Sequence, residues 1–159
     1  MLAILSWCVI AVVYVLAQRP TIDDFFRAFS DEWVRLDPDL AVVARDFSGD
    51  EQARLDRQLR PWTNEYFERR REVAKRGLVA LRRFSEAELS AEDRISFQVL
   101  AWQLQSVIDE EKYQRLNYPL EPQNGADVDL VSNFTVWQPV KNGPEADNYV
   151  AQLEFTTKC

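Results

Sequence analysis

A chain of 159 residues with 26 acidic against 19 basic side chains carries a formal net charge of −7, which excludes nucleic acid as an expected partner. It contains no histidine, so a Ser-His-Asp relay, a Cys-His pair, an H-E-x-x-H zinc helix and a 2-His-1-carboxylate iron site cannot be built within it. Carboxylate chemistry, or no chemistry, is what the composition leaves.

Met1 to Ala17 is apolar and uncharged, the pattern of a targeting segment rather than of a core element. Val15-Leu16-Ala17 places short residues where signal peptidase reads them, and polar Gln18-Arg19-Pro20 comes next, so cleavage is expected between Ala17 and Gln18. The stretch is shorter than the ~20 apolar residues of a spanning helix. The expectation is an exported protein, periplasmic or secreted, and the alternative is an uncleaved N-terminal membrane anchor. Membrane contact is expected only through this segment. Residues 18–155 then form a helical segment, and 156–159 an atypical tail. Cys8 lies in the leader and Cys159 is the last residue, so the mature chain is expected to hold no internal disulfide.

Helix signals dominate the chain beyond the leader. Thr21 is a plausible N-cap, Asp23 and Asp24 suit a first turn, and Phe25, Phe26, Phe29, Trp33 and Leu36 recur at helical spacing until Pro38. Leu40, Val42, Val43 and Ala44 suggest a short second helix. Ser48-Gly49-Asp50-Glu51 reads as a capping box opening a third, which Pro61 breaks or kinks. From Trp62 to Leu81 the apolar positions Phe67, Ala74, Leu78 and Leu81 keep one face, widened by Tyr66 and Val73.

Within that helix, Arg69-Arg70-Arg71 with Lys75, Arg76, Arg82 and Arg83 invites a phosphate reading. Glu65 precedes Arg69 by four residues and Glu72 precedes Arg76 by four, the spacing of a solvated helix face, which is the expectation.

Ser90-Ala91-Glu92-Asp93 is a second capping-box type start. Beyond it Phe97, Leu100, Leu104, Val107 and Ile108 form one apolar stripe, and Ile95, Val99 and Trp102 another. A helix apolar on two faces is expected to lie between neighbours. Asp109-Glu110-Glu111 opposes the helix dipole, and solvation is its simple explanation. Pro119, Pro122, Asn124-Gly125, Pro139, Asn142-Gly143 and Pro144 then punctuate a loop-rich stretch near 114–143, with one extended piece at Phe134 to Trp137. Pro144 suits the first position of a last helix, Glu145 to Phe155, with Ala146, Tyr149, Val150 and Leu153 facing inward.

Asp31-Glu32, Asp46, Asp50-Glu51, Asp127 and Asp129 could supply a carboxylate pair for glycoside hydrolysis, but no spacing selects one. Asp127-Val128-Asp129 lacks the later ligands and the glycine of a calcium loop. Asn133-Phe134-Thr135 is a formal glycosylation sequon.

Three blocks in register carry a resemblance. Asp31-Glu32-Trp33-Val34-Arg35-Leu36-Asp37-Pro38-Asp39-Leu40-Ala41 resembles the opening helix of the bacterial domain-of-unknown-function family 885. Leu89-Ser90-Ala91-Glu92-Asp93-Arg94-Ile95-Ser96-Phe97 through Trp102-Gln103-Leu104 is similar to the family's L-S-x-E-D-R helix. Tyr118-Pro119-Leu120, Gln123, Gly125, Pro139-Val140 and Asp147-Asn148-Tyr149-Val150-Ala151-Gln152-Leu153 resemble the segment after it. Together they span Thr21 to Leu153.

The resemblance implies a largely helical, often exported protein of a class regarded as zinc-dependent peptidases, much longer than this chain, with zinc as cofactor and a peptide as substrate. The family's zinc motif, a His-Glu pair with Pro-Gly-His shortly after it, lies far toward its C-terminus, and no position here matches it. No catalytic, cofactor-binding or metal residue is carried over. The sequence therefore reads as an all-α, irregular helical bundle, an incomplete domain. Its expected function is that of the N-terminal, non-catalytic portion of such a protein. The alternative is a free-standing periplasmic helical module that binds a peptide or partner through aromatic loops from Tyr118 to Trp137.

Overall fold

The computed structural model describes residues 20–116, 122–123 and 125–156. The expected leader with its Ala17–Gln18 junction, both cysteines and Tyr118-Pro119-Leu120 lie outside the described residues. Among the described residues the chain is all-α and has no strand.

Helix α1 (Ile22–Leu36) starts where Thr21 and Asp24 close a reciprocal capping box. The Asp24 amide donates to Thr21 Oγ1 at 3.2 Å, and the Thr21 amide donates to Asp24 Oδ2 at 3.1 Å. The helix stops at Asp37 because a residue before proline is driven out of the helical region, and Asp37 has φ −120° and ψ 94°. The same residue caps α2 (Pro38–Ala44), whose Leu40 amide donates to Asp37 Oδ1, with Pro38 at the first helical position.

Helix α3 (Gly49–Leu55) departs from the sequence expectation. Ser48 is its N-cap but makes no side-chain cap bond, and the helix ends well before Pro61. Gly49 has φ 58°, which bends the backbone away at the point where a capping box needs helical geometry. Asp56, just past the helix, is tied to Gln52 Nε2 at 2.8 Å and to Arg45 Nη1 at 2.7 Å.

Helix α4 (Asn64–Leu81) is capped by Thr63, whose Oγ1 accepts from the Tyr66 amide. Helix α5 (Ala91–Asp109) is capped by Ser90, which accepts from the Asp93 amide. Both α1 and α5 pack on α4. Val73, Ala74 and Leu78 of α4 meet Phe29 of α1 and Leu104 of α5, while Leu81 meets Ile22 and Phe97. A smaller cluster of Val34, Ala41 and Leu55 fixes α2 and α3 to the end of α1.

Two expectations for the later helices are corrected. Helix α5 is covered on one face only among the described residues: Ile95 and Val99 are exposed, and Trp102 is 68% exposed. The stretch from Phe134 to Trp137 is not extended. Helix α6 (Ala126–Ser132) runs straight into a π-helical turn over Asn133–Trp137, in which the Gln138 amide donates to the Asn133 carbonyl at 2.9 Å. The β-branched and aromatic residues that suggest a strand by propensity sit in a wide helical turn because tertiary contacts of Asn133 and Gln138 override local preference.

The last helix, α7 (Gly143–Thr156), also turns a different face inward. Asn148 and Gln152 are its buried residues, whereas Val150 and Leu153 are exposed. Its seat is polar: Arg57 Nε donates to Asn148 Oδ1 at 2.8 Å, and Gln152 Nε2 donates to the Gln58 carbonyl at 3.0 Å. The partner surface offers guanidinium and carbonyl groups, so amides rather than aliphatic side chains fill it.

Candidate functional site

The segment between α3 and α4 brings Arg60 against the Asp37-Pro38-Asp39 corner, and a polar cluster grows from that meeting. Asp37 is almost fully buried. Its Oδ1 accepts from Arg60 Nε at 3.0 Å, and its Oδ2 accepts from the Tyr66 hydroxyl at 3.0 Å and from Arg70 Nη1 at 3.3 Å. Arg70 also lies over the Trp33 ring, 4.7 Å from its centroid. Burial and the neighbouring Asp37 charge push the Tyr66 hydroxyl up to about 12. Asp37 is thus an ionic joint between α1, α2 and α4.

Two residues further along the chain, Asp39 Oδ1 accepts from the Arg60 amide at 3.0 Å and from Asn133 Nδ2 at 3.0 Å. Arg60 Nη1 reaches Asp129 Oδ2 of α6 at 3.3 Å. These contacts place α6 and the π-helical turn beside α2. Between them opens a pocket of about 160 Å³, lined chiefly by Asp39, Arg60, Asp129, Asn133, Leu40 and Trp137. Burial raises the Asp39 carboxyl above the usual aspartate range, against the opposing pull of the Arg60 amide and guanidinium.

A second concavity, of about 480 Å³, lies between α1 and α5. Phe29 and Leu104 line it with Trp33, Leu100, Trp102 and Arg70. It is an apolar groove with one guanidinium at its side.

The carboxylates singled out in the sequence are not assembled into a catalytic pair. Asp31 pairs with Arg35, Glu32 with Arg76, and Glu51 with both Arg35 and Arg54. Asp46, Asp50 and Asp127 stand outside the polar cluster, all three exposed. Asp129 alone of that set enters it. Asn133 of the formal sequon is only 2% exposed, and its amide nitrogen is engaged by Asp39.

The basic run is also not simply a solvated face. Arg71 is buried and its Nη1 donates to Gln114 Oε1 at 2.8 Å, and Arg70 braces Asp37. Glu72 pairs with Lys75, and Arg76 crosses to Glu32. Trp102 lies on the groove between α1 and α5 rather than in the core.

Zinc, implied by the family resemblance, does not fit these residues. The chain has no histidine, and the described residues hold no group of three or more His, Cys, Asp or Glu side chains able to take a metal ion. Sequence reasoning gave Asp39 and Arg60 no site role and met Asn133 only as a formal sequon; nothing local marks these residues, and only their long-range meeting makes a site. Comparisons with protein families, curated proteins and solved structures found no match for this chain.

Proposed function

We propose that this chain is a helical, non-catalytic portion of an exported protein of the family 885 type, the zinc-dependent peptidase class, with the metal-binding part absent from the chain. The observation that supports this reading is the use made of the residues that carry the resemblance. Asp37 joins three helices, Ser90 and Asp93 start α5, and Asn148 and Gln152 seat α7 on Arg57 and the Gln58 carbonyl. The residues that carry the resemblance serve here as caps and braces, the work of a framework rather than of a reaction.

The test is an assay of the purified chain on unstructured peptide with added zinc, with and without chelator, together with metal analysis after gel filtration. No chelator-sensitive hydrolysis and less than stoichiometric zinc are expected. Zinc-dependent cleavage blocked by chelator would overturn the reading.

A second reading, a helical binding module, is favoured by the half-exposed Trp137 beside the polar pocket and by Trp102 on the apolar groove. A cooperative melt and a monodisperse monomer for the isolated chain would favour it over the framework reading.

A further inference from the structure

We propose that the pocket between α2 and the π-helical turn binds a primary ammonium group carried on a short apolar body. The inference is independent of the family reading and rests on the acceptors gathered there.

The first observation is an orphaned acceptor. Asn133 Nδ2 donates to Asp39, which fixes the orientation of the amide, because a carbonyl oxygen turned toward a carboxylate would be repelled. Asn133 Oδ1 is then buried and accepts from no donor among the described residues. Buried carbonyl groups without a partner are uncommon, and each calls for a donor. Gln52, Gln138 and Gln152 also hold such an oxygen, but Asn133 is the one of the four that lines the pocket with Asp39 and Asp129.

The second observation is a surplus of anionic acceptors. Among the described residues, Asp39 Oδ2 has only a 3.9 Å ionic contact with Arg60 Nε, and Asp129 uses only Oδ2 on Arg60 Nη1. Across the connected cluster, the carboxylates of Asp37, Asp39 and Asp129 face the guanidinium groups of Arg60 and Arg70. Three negative charges against two positive leave one, which a monocation neutralises. An ammonium group supplies three N–H donors to the acceptors.

The third observation is the wall. Leu40, Val43 and Trp137 line the same pocket, so an alkyl chain has apolar surface and the cation has an indole ring within the site. The volume of about 160 Å³ is roughly that of five waters at ~30 Å³ each. An alkylammonium of four carbons is of that size. The π-helical turn that carries Asn133 and Trp137 at its two ends is itself a geometry frequent at functional sites.

The experiment is isothermal titration calorimetry of the purified chain with n-butylammonium. Tetramethylammonium tests charge without N–H donors, and calcium tests a metal ion. Saturable binding of n-butylammonium is expected, with affinity on the order of 1 mM or tighter. Tetramethylammonium and calcium should bind at least about tenfold more weakly. Asp39→Asn should weaken the alkylammonium at least about tenfold, and the surface variant Trp137→Leu about two- to fivefold. If Asp39→Asn fails to fold, Asp129→Asn replaces it, since that side chain is 40% exposed.

Alanylalanine amide against its N-acetylated form separates the sources. Tighter binding of the free-amine peptide than of butylammonium assigns a peptide terminus, and equal or weaker binding assigns small amines. The proposal is overturned by no saturable heat for any amine on folded protein, which would leave a hydrated pocket only. It is also overturned by calcium binding more tightly than butylammonium, or by undiminished binding to folded Asp39→Asn.

Discussion

The ring of Phe29 occupies the space that a side chain at Gly77 would need. An ideal Cβ at Gly77 would lie 2.9 Å from Phe29 Cδ2 and closer still to Cε2. The ring has little freedom to withdraw, because it stacks on Phe25 at 5.8 Å on one side and on Trp33 at 5.7 Å on the other. Glycine within α4 is therefore the condition for α1 to approach so closely. Gly77→Ala gains about 1 kcal/mol of helix propensity but overpacks the core at a cost of about 1–3 kcal/mol. A net loss of about 1 kcal/mol in denaturant unfolding is expected. Phe29→Leu should relieve it, so the double variant should be more stable than the sum of the single effects allows.

Asp37 supports a larger prediction. It is buried, it caps α2, and two guanidinium groups and a phenol converge on it. Asp37→Ala leaves Arg60 and Arg70 without their main counter-charge and removes the cap. Breaking a buried ion pair from one side costs about 3–5 kcal/mol, a large share of the ~5–15 kcal/mol that holds a domain together. Thermal melts monitored by circular dichroism should show a transition lowered by many degrees or lost. A change within a few degrees would mean that the joint carries little of the fold's stability.

Tyr66 gives the joint an alkaline limit. Its folded pKa is raised by burial and by Asp37 from 10.0 to about 12. The protonated phenol donates to Asp37, and the folded state resists losing that proton more than the unfolded state does. The stabilisation is complete below pH 10.0 and is lost as pH rises through about 12. Denaturant midpoints of the wild type should fall more steeply over that range than those of Tyr66→Phe. Parallel curves would show that the Tyr66–Asp37 bond contributes nothing pH-dependent.

Helix identity was legible in the sequence where local chemistry decides it. The Thr21 cap, the Asp37-Pro38 break and the Ser90 cap all stand where their residues put them, since each acts within four positions of itself. The apolar face of α4 was legible for the same reason, through Val73, Ala74, Leu78 and Leu81. What was not legible depends on partners far along the chain. Asn133 and Gln138 override strand propensity through bonds to Asp39 and the Asp56 carbonyl, and Gln152 is buried because the Gln58 carbonyl is there to accept from it. The candidate pocket belongs to this second kind, since Asp39 and Asn133 lie 94 positions apart.

The second apolar stripe of α5 tests that boundary directly. Periodicity alone reads Ile95, Val99 and Trp102 as packed between neighbours, and burial at such a site makes substitution of each cost about 2–5 kcal/mol. In the structure all three are exposed, and Trp102 is 68% exposed. A surface substitution away from special features changes stability by about 0.5 kcal/mol or less. Ile95→Gln, Val99→Gln and Trp102→Gln, singly and combined, should therefore leave the denaturant midpoint of the isolated chain nearly unchanged. They should also reduce binding of a hydrophobic dye and slow aggregation, because they remove a contiguous apolar surface. A loss of several kcal/mol in any single variant would mean that the stripe is covered in solution, as the sequence pattern alone suggests.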